Sequence, residues 1–471
     1  MNFKHRRGSF HIIFEKVIEL PILIIGALVS IFLIKNFDFQ VVLPLIVVLI
    51  NPITRLINYL STFYTLDEGQ LIIESGVLTK KRIVIPFSTI TTVDLSQNIL
   101  FQILKVYKIK VDNSSQTNDT ANQSKIVLTL KIDEAIRFKN VITNGLVAQD
   151  QVGEDAEAIK AAPLDFIKLG LFQSKMVYFF SVCAVIGPFV GIIAPKFQDV
   201  FKNVLIAGLI AGAIIFGYML AVVFSLIKSV GTYYNFKVWS SGDSVKISYG
   251  LLNKKSFSLK KEKINGVILK QNLLMRITGL YTAEVIVIGY GDTKQGEAEQ
   301  AIIFPIASYA RLKSIINRLL PEYSFDYTLS KPNKTALKYF FVSFDFISAL
   351  VLAFIAVPAA LILQRYVVIV VAVAGVILCL SVVSCLLKFA NAGISVEVKN
   401  VVLSMGGFRK RIAVIRTDSI ESVTARGSIF KRRKGFVSIS LGYLAPARAS
   451  RLSSGSLPAE QFELLEGVLK Y

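Results

Sequence analysis

The stretch GVLTKKRIVIPFSTITTVDLSQNILFQILKVY, residues 76–107, recurs without gaps as GLLNKKSFSLKKEKINGVILKQNLLMRITGLY at residues 250–281. The copies share a leading glycine, a Lys-Lys pair, a spaced isoleucine and valine, a Gln-Asn pair and a closing tyrosine. A looser third copy begins at Gly406, with Gly427-Ser428 in place of the Gln-Asn pair. Self-similarity at a fixed spacing indicates one structural unit present three times.

Each copy is predicted to contain strands first and a helix last. SVKISYG (244–250) and ISVEVK (394–399) alternate apolar and polar residues, which is typical of strands with one buried face. The turn sequences DEG, SSGD and KN predict hairpins. The leading glycines are predicted to form a second turn or bulge, and they are Gly76, Gly250 and Gly406. We expect the Gln-Asn pair to cap a turn and its apolar neighbours to pack in the core.

An amphipathic helix is predicted to close every copy. Its apolar face is Ala135, Phe138, Ile142 and Leu146 in the first copy, Tyr309, Leu312, Ile316 and Leu319 in the second, and Phe462, Leu465 and Leu469 in the third. Strands followed by a single helix predict a small β-barrel or roll that the helix plugs at one end.

The composition indicates a membrane protein. The 471 residues are 53% hydrophobic, the mean hydropathy is +0.58 and the net charge is +21. Basic excess points to nucleic acid or to an anionic membrane face. Long apolar segments favour the membrane, and no aromatic interleaving of the kind that RNA-binding sheets use accompanies the charge, so nucleic acid is not expected as a partner.

Six segments are long and apolar enough to cross a bilayer as helices. They are Val17–Ile34, Val41–Leu60, Val177–Ala194, Val204–Ile227, Tyr339–Leu363 and Val367–Leu387. The basic N-terminal segment is predicted to be cytoplasmic, as are the three polar regions, because each pair of spans returns the chain to the same side. The stretch 164–175 resembles an interfacial helix.

The predicted architecture is an α+β membrane protein with three helix pairs, each followed by a cytoplasmic domain. The segments are a basic N-terminal segment (1–16), the first helix pair (17–60), the first domain (61–148), a linker with the interfacial helix (149–176), the second helix pair (177–227), the second domain (228–325), a linker (326–338), the third helix pair (339–387) and the third domain (388–471).

The hairpin, the G-x-L-x-K-K motif of the first two copies, the spaced Ile and Val, the Gln-Asn pair and the closing aromatic resemble the bacterial pleckstrin-homology-like (PH-like) domain. The whole chain is similar to the YdbT-type membrane proteins of Gram-positive bacteria. That resemblance implies cytoplasmic PH-like barrels, a multi-pass plasma-membrane location and a frequent companion, a smaller YdbS-type membrane protein with one such domain. Some relatives are associated with tolerance of membrane-active antimicrobial peptides, and the resemblance brings no catalytic residues.

The sequence offers little for catalysis. The two histidines, His5 and His11, lie before the first span and make a poor metal pair, and no hydrolase, nucleotide-binding or zinc-protease motif is present. The cysteines Cys183, Cys379 and Cys385 lie in apolar runs and are predicted to be small buried residues. We therefore expect no catalytic site, metal or cofactor.

The basic clusters are the best candidate contacts for anionic inner-leaflet lipids or a partner. They are Lys254, Lys255, Lys260, Lys261, Lys263, Arg409, Lys410, Arg411, Lys431, Arg432, Arg433 and Lys434. Two carboxylates, Glu19 and Asp345, lie within predicted spans and are candidate functional groups. The leading hypothesis is a non-enzymatic membrane scaffold or envelope-protection component. The alternatives are a transporter or channel regulated by its PH-like domains and an enzyme acting on lipid.

Overall fold

The computed structural model describes most of the chain outside the first three predicted spans. The described residues are 5–11, 56–57, 59–67, 69–76, 79–113, 125–144, 158–173, 204–287, 301–342, 344–362 and 367–443, together with 450–469. Glu19 and Cys183 lie outside them, as does almost all of the predicted spans 17–34, 41–60 and 177–194.

The described part of the chain contains twenty strands. In chain order they are β1 (Arg6–Arg7), β2 (Phe63–Asp67), β3 (Gln70–Ser75), β4 (Lys81–Pro86), β5 (Ile90–Gln97), β6 (Val106–Asn113), β7 (Lys125–Lys131), β8 (Ile159–Lys160), β9 (Lys237–Ser241), β10 (Ser244–Tyr249), β11 (Lys254–Lys260), β12 (Ile264–Gln271), β13 (Leu280–Val287), β14 (Ala301–Ser308), β15 (Gly393–Val396), β16 (Asn400–Met405), β17 (Lys410–Arg416), β18 (Ile420–Arg426), β19 (Phe436–Tyr443) and β20 (Ser450–Pro458).

Eleven α-helices are described as well. They are α1 (Ile99–Ile103), α2 (Ile132–Asn144), α3 (Pro163–Gln173), α4 (Val204–Tyr233), α5 (Leu273–Ile277), α6 (Tyr309–Leu319), α7 (Leu337–Phe340), α8 (Phe344–Ile362), α9 (Val367–Asn391), α10 (Ile429–Arg432) and α11 (Glu460–Leu469). We call α1, α5 and α10 the turn helices, and α2, α6 and α11 the closing helices.

The same order of elements occurs in all three repeats, as the sequence predicts. Each repeat has a three-stranded meander, a second meander interrupted by a turn helix, and a closing helix. The predicted hairpins are present: Asp67 pairs with Gln70, and Ser241 pairs with Ser244. The alternation of SVKISY is also observed, since Val245 and Ile247 are fully buried while Ser244, Lys246 and Ser248 are not.

The leading glycines and the Gln-Asn pair have the predicted local roles. Gly76, Gly250 and Gly406 have φ angles of +109°, +111° and +102°, where only glycine is unstrained. Asn98 caps α1 by accepting a hydrogen bond from the Phe101 N–H (2.8 Å), and Asn272 caps α5 in the same way. In the third repeat Ser428 replaces the asparagine as the cap of α10.

The prediction that apolar residues of the turn helices pack in the core is wrong for several of them. Phe101 and Met275 are buried, but the side chains of Ile103 and Ile277 are 71% and 78% exposed. The reason is geometric, because a helix of five residues presents only one of its faces to the sheet that carries it.

The chain forms two compact units, and the second repeat is divided between them. Unit 1 holds Met1–Lys160 and Asn235–Lys263, and unit 2 holds Ala161–Tyr234, Ile264–Val287 and Glu299–Tyr471. Unit 1 contains a sheet of order β1-β2-β3-β4 and a sheet of order β7-β6-β5-β11-β10-β9-β8. Unit 2 contains sheets of order β14-β13-β12-β17-β16-β15 and β18-β19-β20.

The sheets therefore run across repeat boundaries, which differs from the self-contained barrels that the sequence predicts. In unit 1 the second meander of repeat 1 pairs through β5 with β11 of repeat 2. In unit 2 the second meander of repeat 2 pairs through β12 with β17 of repeat 3. Alternating hydrophobicity fixes which face of a strand is buried but does not say which strand lies beside it.

Each unit has its own apolar core. In unit 1 the core lies between the strands of repeat 1 and the closing helix α2, and it includes Tyr64, Leu71, Ile109 and Phe138. In unit 2 the core of repeat 3 is completed by Ile268 and Ile286, which belong to strands of repeat 2.

The last three predicted spans fall on helices α4, α8 and α9. Among the described residues one segment, Ala374–Asn391 of α9, is long and apolar enough by itself to cross a membrane, with a mean hydropathy of 1.9. Only 17% of this segment is buried, so it is not a core helix. The same exposed surface explains why Cys379 is exposed, contrary to the prediction, whereas Cys385 is buried.

Helix α3 confirms the prediction of a helix within 164–175. Its buried residues Phe166 and Leu169 face the protein, and Gly170 lies so close to α4 that a Cβ there would come 2.9 Å from Ser229. Its position at the membrane interface stays a prediction.

Candidate functional site

A glycine turn between β16 and β17 sets the geometry of the most basic site in unit 2. A Cβ on Gly406 would lie 1.9 Å from the carbonyl oxygen of Arg409, so the tight turn requires glycine. Arg409 is the last residue of the turn, and Lys410 and Arg411 begin β17, where alternate residues point to opposite faces. Both arginines line a common cavity, whereas Lys410 does not.

The cavity, which we call the basic cavity, has a volume of about 420 Å³. It is lined by the cations Lys388, Arg409, Arg411 and Lys431, the serines Ser438, Ser453, Ser454 and Ser456, and Tyr339, Phe340, Val342, Met405, Gly406 and Gly455. None of these described lining residues is acidic. Four cations and four hydroxyl groups around one cavity form a site suited to an anion with several oxygen acceptors.

Lys431 lies over an aromatic ring at the edge of the cavity. Its Nζ lies 5.8 Å from the centre of the Tyr339 ring, which the Nζ of Lys338 also approaches at 5.3 Å. Burial lowers the pKa of Lys431 because removal from water disfavours its charged form. An anion bound beside Lys431 would favour its charged form and raise that pKa.

The basic cavity lies beside the apolar helices. Tyr339 and Phe340 belong to α7, at the start of the predicted span 339–363, and Lys388 is in the last turn of α9. The Phe340 ring packs edge-on against Phe389 at 5.6 Å and so closely on Gly455 that a Cβ there would come 2.1 Å from the ring. These contacts place the basic cavity beside the first turn of α8 and the last turn of α9.

An exposed apolar pair lies next to the cavity. The side chains of Ile429 and Phe430 are 70% and 76% exposed on the turn helix α10, and we call them the Ile-Phe tip. The Tyr339 hydroxyl donates to the carbonyl oxygen of Phe430 (3.1 Å), which fixes the tip beside the start of the predicted span. Arg432, Arg433 and Lys434 follow the tip and are exposed. Apolar side chains flanked by cations are typical of segments that insert into a lipid interface.

Two residues that sequence reasoning missed hold the glycine turn in place. Asn391, at the end of α9, donates through Nδ2 to the carbonyl oxygens of Gly406 (2.6 Å) and Gly407 (3.2 Å). Arg276 donates to the Asn391 side-chain oxygen (3.2 Å) and to the Gly407 carbonyl oxygen (3.3 Å). Arg276 aligns with Gln102 of the first copy, and this change from glutamine to arginine is the sequence signal that could have indicated its role.

Lys410 belongs to the strand junction. It lies opposite Gln271 in the pairing of β17 with β12. Burial lowers its pKa, and the nearby cations Arg276 and Lys331 lower it further.

The basic residues of the second repeat lie in unit 1, at the junction of β11 with β5. Lys254 and Lys255 are opposite Gln97 and Ser96. Lys260 donates to the Phe87 carbonyl oxygen (3.4 Å), and burial lowers its pKa. Lys261 and Lys263 are in the 3₁₀ turn that follows and are half-buried. These lysines surround a structural contact, the pairing of β11 with β5.

The other candidate residues add little. Asp345 is the second residue of α8, and its side chain lies outside the described part. Among the described residues no group of three or more His, Cys, Asp or Glu side chains is placed to hold a metal ion.

The chain is a repeat protein of PH-like domains. It has three repeats whose sheets continue from one repeat to the next, and a basic cavity lies beside an apolar helix of the third repeat. Comparison with known families agrees, because residues 20–145, 184–320 and 341–469 each match the bacterial PH domain model. The chain belongs to the bacterial PH domain family.

The resemblance to YdbT-type proteins is also confirmed. The UPF0699 transmembrane protein YdbT of Bacillus subtilis (strain 168) is 21% identical to this chain over 323 residues. The aligned region spans 64% of this chain and 64% of that relative, so it covers less than two thirds of the relative's length.

Proposed function

We propose that this chain is a non-enzymatic multi-pass plasma-membrane protein whose third PH-like domain rests on the cytoplasmic leaflet and holds an anionic lipid headgroup in the basic cavity. The main support for this proposal is the position of the cavity, directly beside the start of α8 and the end of α9. Its lining residues include four cations and no acidic residue. A phosphate at a leaflet surface lies at that level, and each nearby Lys or Arg contributes ~1 kcal/mol to its attraction.

The Ile-Phe tip supports the same placement. Exposed apolar side chains beside the chain's entry into α8 enter the interface, while Arg432, Arg433 and Lys434 contact the surrounding anionic headgroups. The relative is described as a transmembrane protein, and α9 has the length and hydropathy of a span. Repeated domains add modest contacts into a stable arrangement, which suits a membrane scaffold or an envelope-protection component.

The partner and process follow from the family resemblance. We propose a smaller YdbS-type membrane protein as a companion and tolerance of membrane-active peptides as a role. Mild crosslinking followed by copurification tests the companion, and its recurrent absence would contradict it. A transporter or channel stays the alternative function, and ion or solute flux through the reconstituted chain would favour it.

Replacing Arg411 and Lys431 together with glutamine should weaken binding of phosphatidylglycerol to the full-length protein about 30-fold, since two contacts of ~1 kcal/mol are lost. Native mass spectrometry of the detergent-purified chain, titrated with phosphatidylglycerol or phosphatidylcholine, measures this binding. The matched control is Arg433→Gln with Lys434→Gln, which removes the same charge outside the cavity. Equal weakening by both pairs, or no preference for the anionic lipid, would exclude a headgroup site in the cavity.

A further inference from the structure

The two junctions between repeats follow one rule. We call β5, β12 and β18 the trailing edges, because each begins the second meander of its repeat, and β4, β11 and β17 the leading edges, because each ends the first. At both observed junctions the trailing edge of one repeat pairs antiparallel with the leading edge of the next.

The register of the two junctions is identical. The residue 21 positions after the leading glycine (Gln97, 97 − 76; Gln271, 271 − 250) lies opposite the residue four positions after the next leading glycine (Lys254, 254 − 250; Lys410, 410 − 406). Register in a sheet is set by side-chain pairing and is lost by a slip of one residue, so its repetition shows that the two edges are built to match.

Among the described residues, three repeats joined in this way leave one leading edge and one trailing edge without a partner strand from another repeat. Among the described residues β4 pairs only with β3, and β18 pairs only with β19. Their exposure agrees: the Val84 side chain on β4 is 47% exposed, whereas the equivalent Val414 on β17 is fully buried. On β18, Glu421 and Ser422 are exposed and Val423 is half-buried, whereas β12 is buried along nearly its whole length. Open edges of this length are templates for another strand.

A side-chain contact accompanies each junction. Gln102, on the turn helix of repeat 1, donates through Nε2 to the carbonyl oxygens of Leu251 (3.1 Å) and Leu252 (2.7 Å). Arg276, at the same position of repeat 2, donates to the Gly407 carbonyl oxygen. The equivalent residue of repeat 3 is Arg432, which is exposed.

We propose that β18 of one copy pairs with β4 of a second copy, so that the chain associates head to tail in the register of its own junctions. The rule places Val423 opposite Val84, Thr424 opposite Ile83 and Arg426 opposite Lys81. A second copy is the matching occupant because it carries the leading edge that β18 fits, and such a contact between different surfaces extends into open arrays.

The charges at this junction keep the association weak. Arg426 opposite Lys81 is a like-charge pair, as Lys270 opposite Arg411 is in the second junction. There the Lys270 Nζ is neutralised by Glu284 Oε2 at 2.5 Å, but Ser440 takes the place of Glu284 in repeat 3. Like charges directly opposite each other in a sheet are destabilising.

Disulfide crosslinking tests the register. In a background with Cys183→Ala, Cys379→Ala and Cys385→Ala, one tagged chain carries Val84→Cys and a differently tagged chain carries Val423→Cys. Membranes that contain both chains are treated with copper(II)–phenanthroline and air, which supply the oxidant for the two thiols. A disulfide-linked heterodimer should form, because the register places Val84 and Val423 directly opposite each other. Val84→Cys with Thr424→Cys is the control, since Thr424 points to the opposite face and should crosslink far less.

The outcomes separate the possible occupants. If a single chain carrying both cysteines closes an internal disulfide while mixed chains do not link, the edges pair within one chain and the second copy is excluded. If neither arrangement crosslinks, β4 and β18 do not pair, and some other protein or nothing covers them.

Charge reversal provides a second measurement that does not need cysteines. Arg426→Glu alone, or Lys81→Glu alone, should tighten self-association about fivefold, because an opposite-charge pair replaces a like-charge one. The double variant should return to the wild-type affinity. Sedimentation of the detergent-purified chains gives the three affinities, and effects of the two reversals that simply add would overturn the proposed pairing of these residues.

Discussion

Replacing Asp94 with asparagine should stabilise unit 1 at pH 7 by about 4 kcal/mol relative to its effect at pH 4. Asp94 is a buried carboxyl on β5, where the other repeats have Ile268 and Thr424. Burial, and then the neighbouring Asp112 carboxylate, raise its pKa to about 8. The folded protein therefore keeps the proton on Asp94 at pH values where the unfolded chain has lost it.

The sign of the pH dependence follows from this raised pKa. Below about pH 4 both states hold the proton, and the contribution of Asp94 to stability is largest. Between pH 4 and pH 8 the unfolded state ionises while the folded state does not, so stability falls by about 1.4 kcal/mol for each pH unit. Asparagine has no proton to lose, and this fall should disappear from Asp94→Asn.

Hydrogen exchange on the full-length protein measures the effect locally. Peptides that cover β5 and β6 report the free energy of opening at pH 5, 6 and 7 after correction for chemical exchange. Asp112→Asn is a contrasting variant. Asp112 is buried but paired with Lys110 at 3.1 Å and accepts a hydrogen bond from Thr92, so its loss should destabilise the sheet by ~3 kcal/mol. Parallel pH profiles for Asp94→Asn and the wild type would show that Asp94 is ionised in the fold.

The repeat itself was predictable because its signals are local. Gly250 and Asn272 act through the backbone beside them, one by adopting a positive φ and the other by accepting from an N–H three residues on. The alternation of Val245 and Ile247 likewise fixes a buried face with no knowledge of the partner strand. Such features depend on a few neighbouring residues and can be read from a single sequence.

The strand partners and the basic cavity depend on distant residues. The residues that flank Lys254 in the sequence do not predict that Gln97 lies opposite it. A strand can pair with any strand edge that has a matching buried face and register. The basic runs predicted Arg409, Lys410 and Lys431 as candidates alike. Arg409 and Lys431 line the cavity, whereas Lys410 lies at the pairing of β17 with β12. Ser454 and Asn391 carry no pattern of their own and became visible only when the fold had brought them to the cavity and its turn.

Replacing Gly406 with alanine should destabilise the third PH-like domain by more than about 3 kcal/mol and abolish headgroup binding with it. Its φ of +102° is strained for any L-residue, and its new Cβ would meet the Arg409 carbonyl oxygen at 1.9 Å. The turn has to open, which breaks the hydrogen bond from Asn391 to the Gly406 carbonyl oxygen and moves Arg409 and Arg411 out of the cavity.

Gly435→Ala is the matched control for Gly406→Ala, because Gly435 is in the same repeat, has a φ of +73° and has nothing within 4 Å of its Cβ position. It should therefore cost only the ~1 kcal/mol of a left-handed residue. Hydrogen exchange of peptides covering β16 and β17 compares the two variants in the full-length chain, and phosphatidylglycerol titration follows on the same samples. Equal protection from exchange in the two variants would show that the turn accommodates alanine at position 406 without loss of stability. Intact protection with lost lipid binding would show that the geometry of the two arginines, and not the stability of the turn, is what Gly406 preserves.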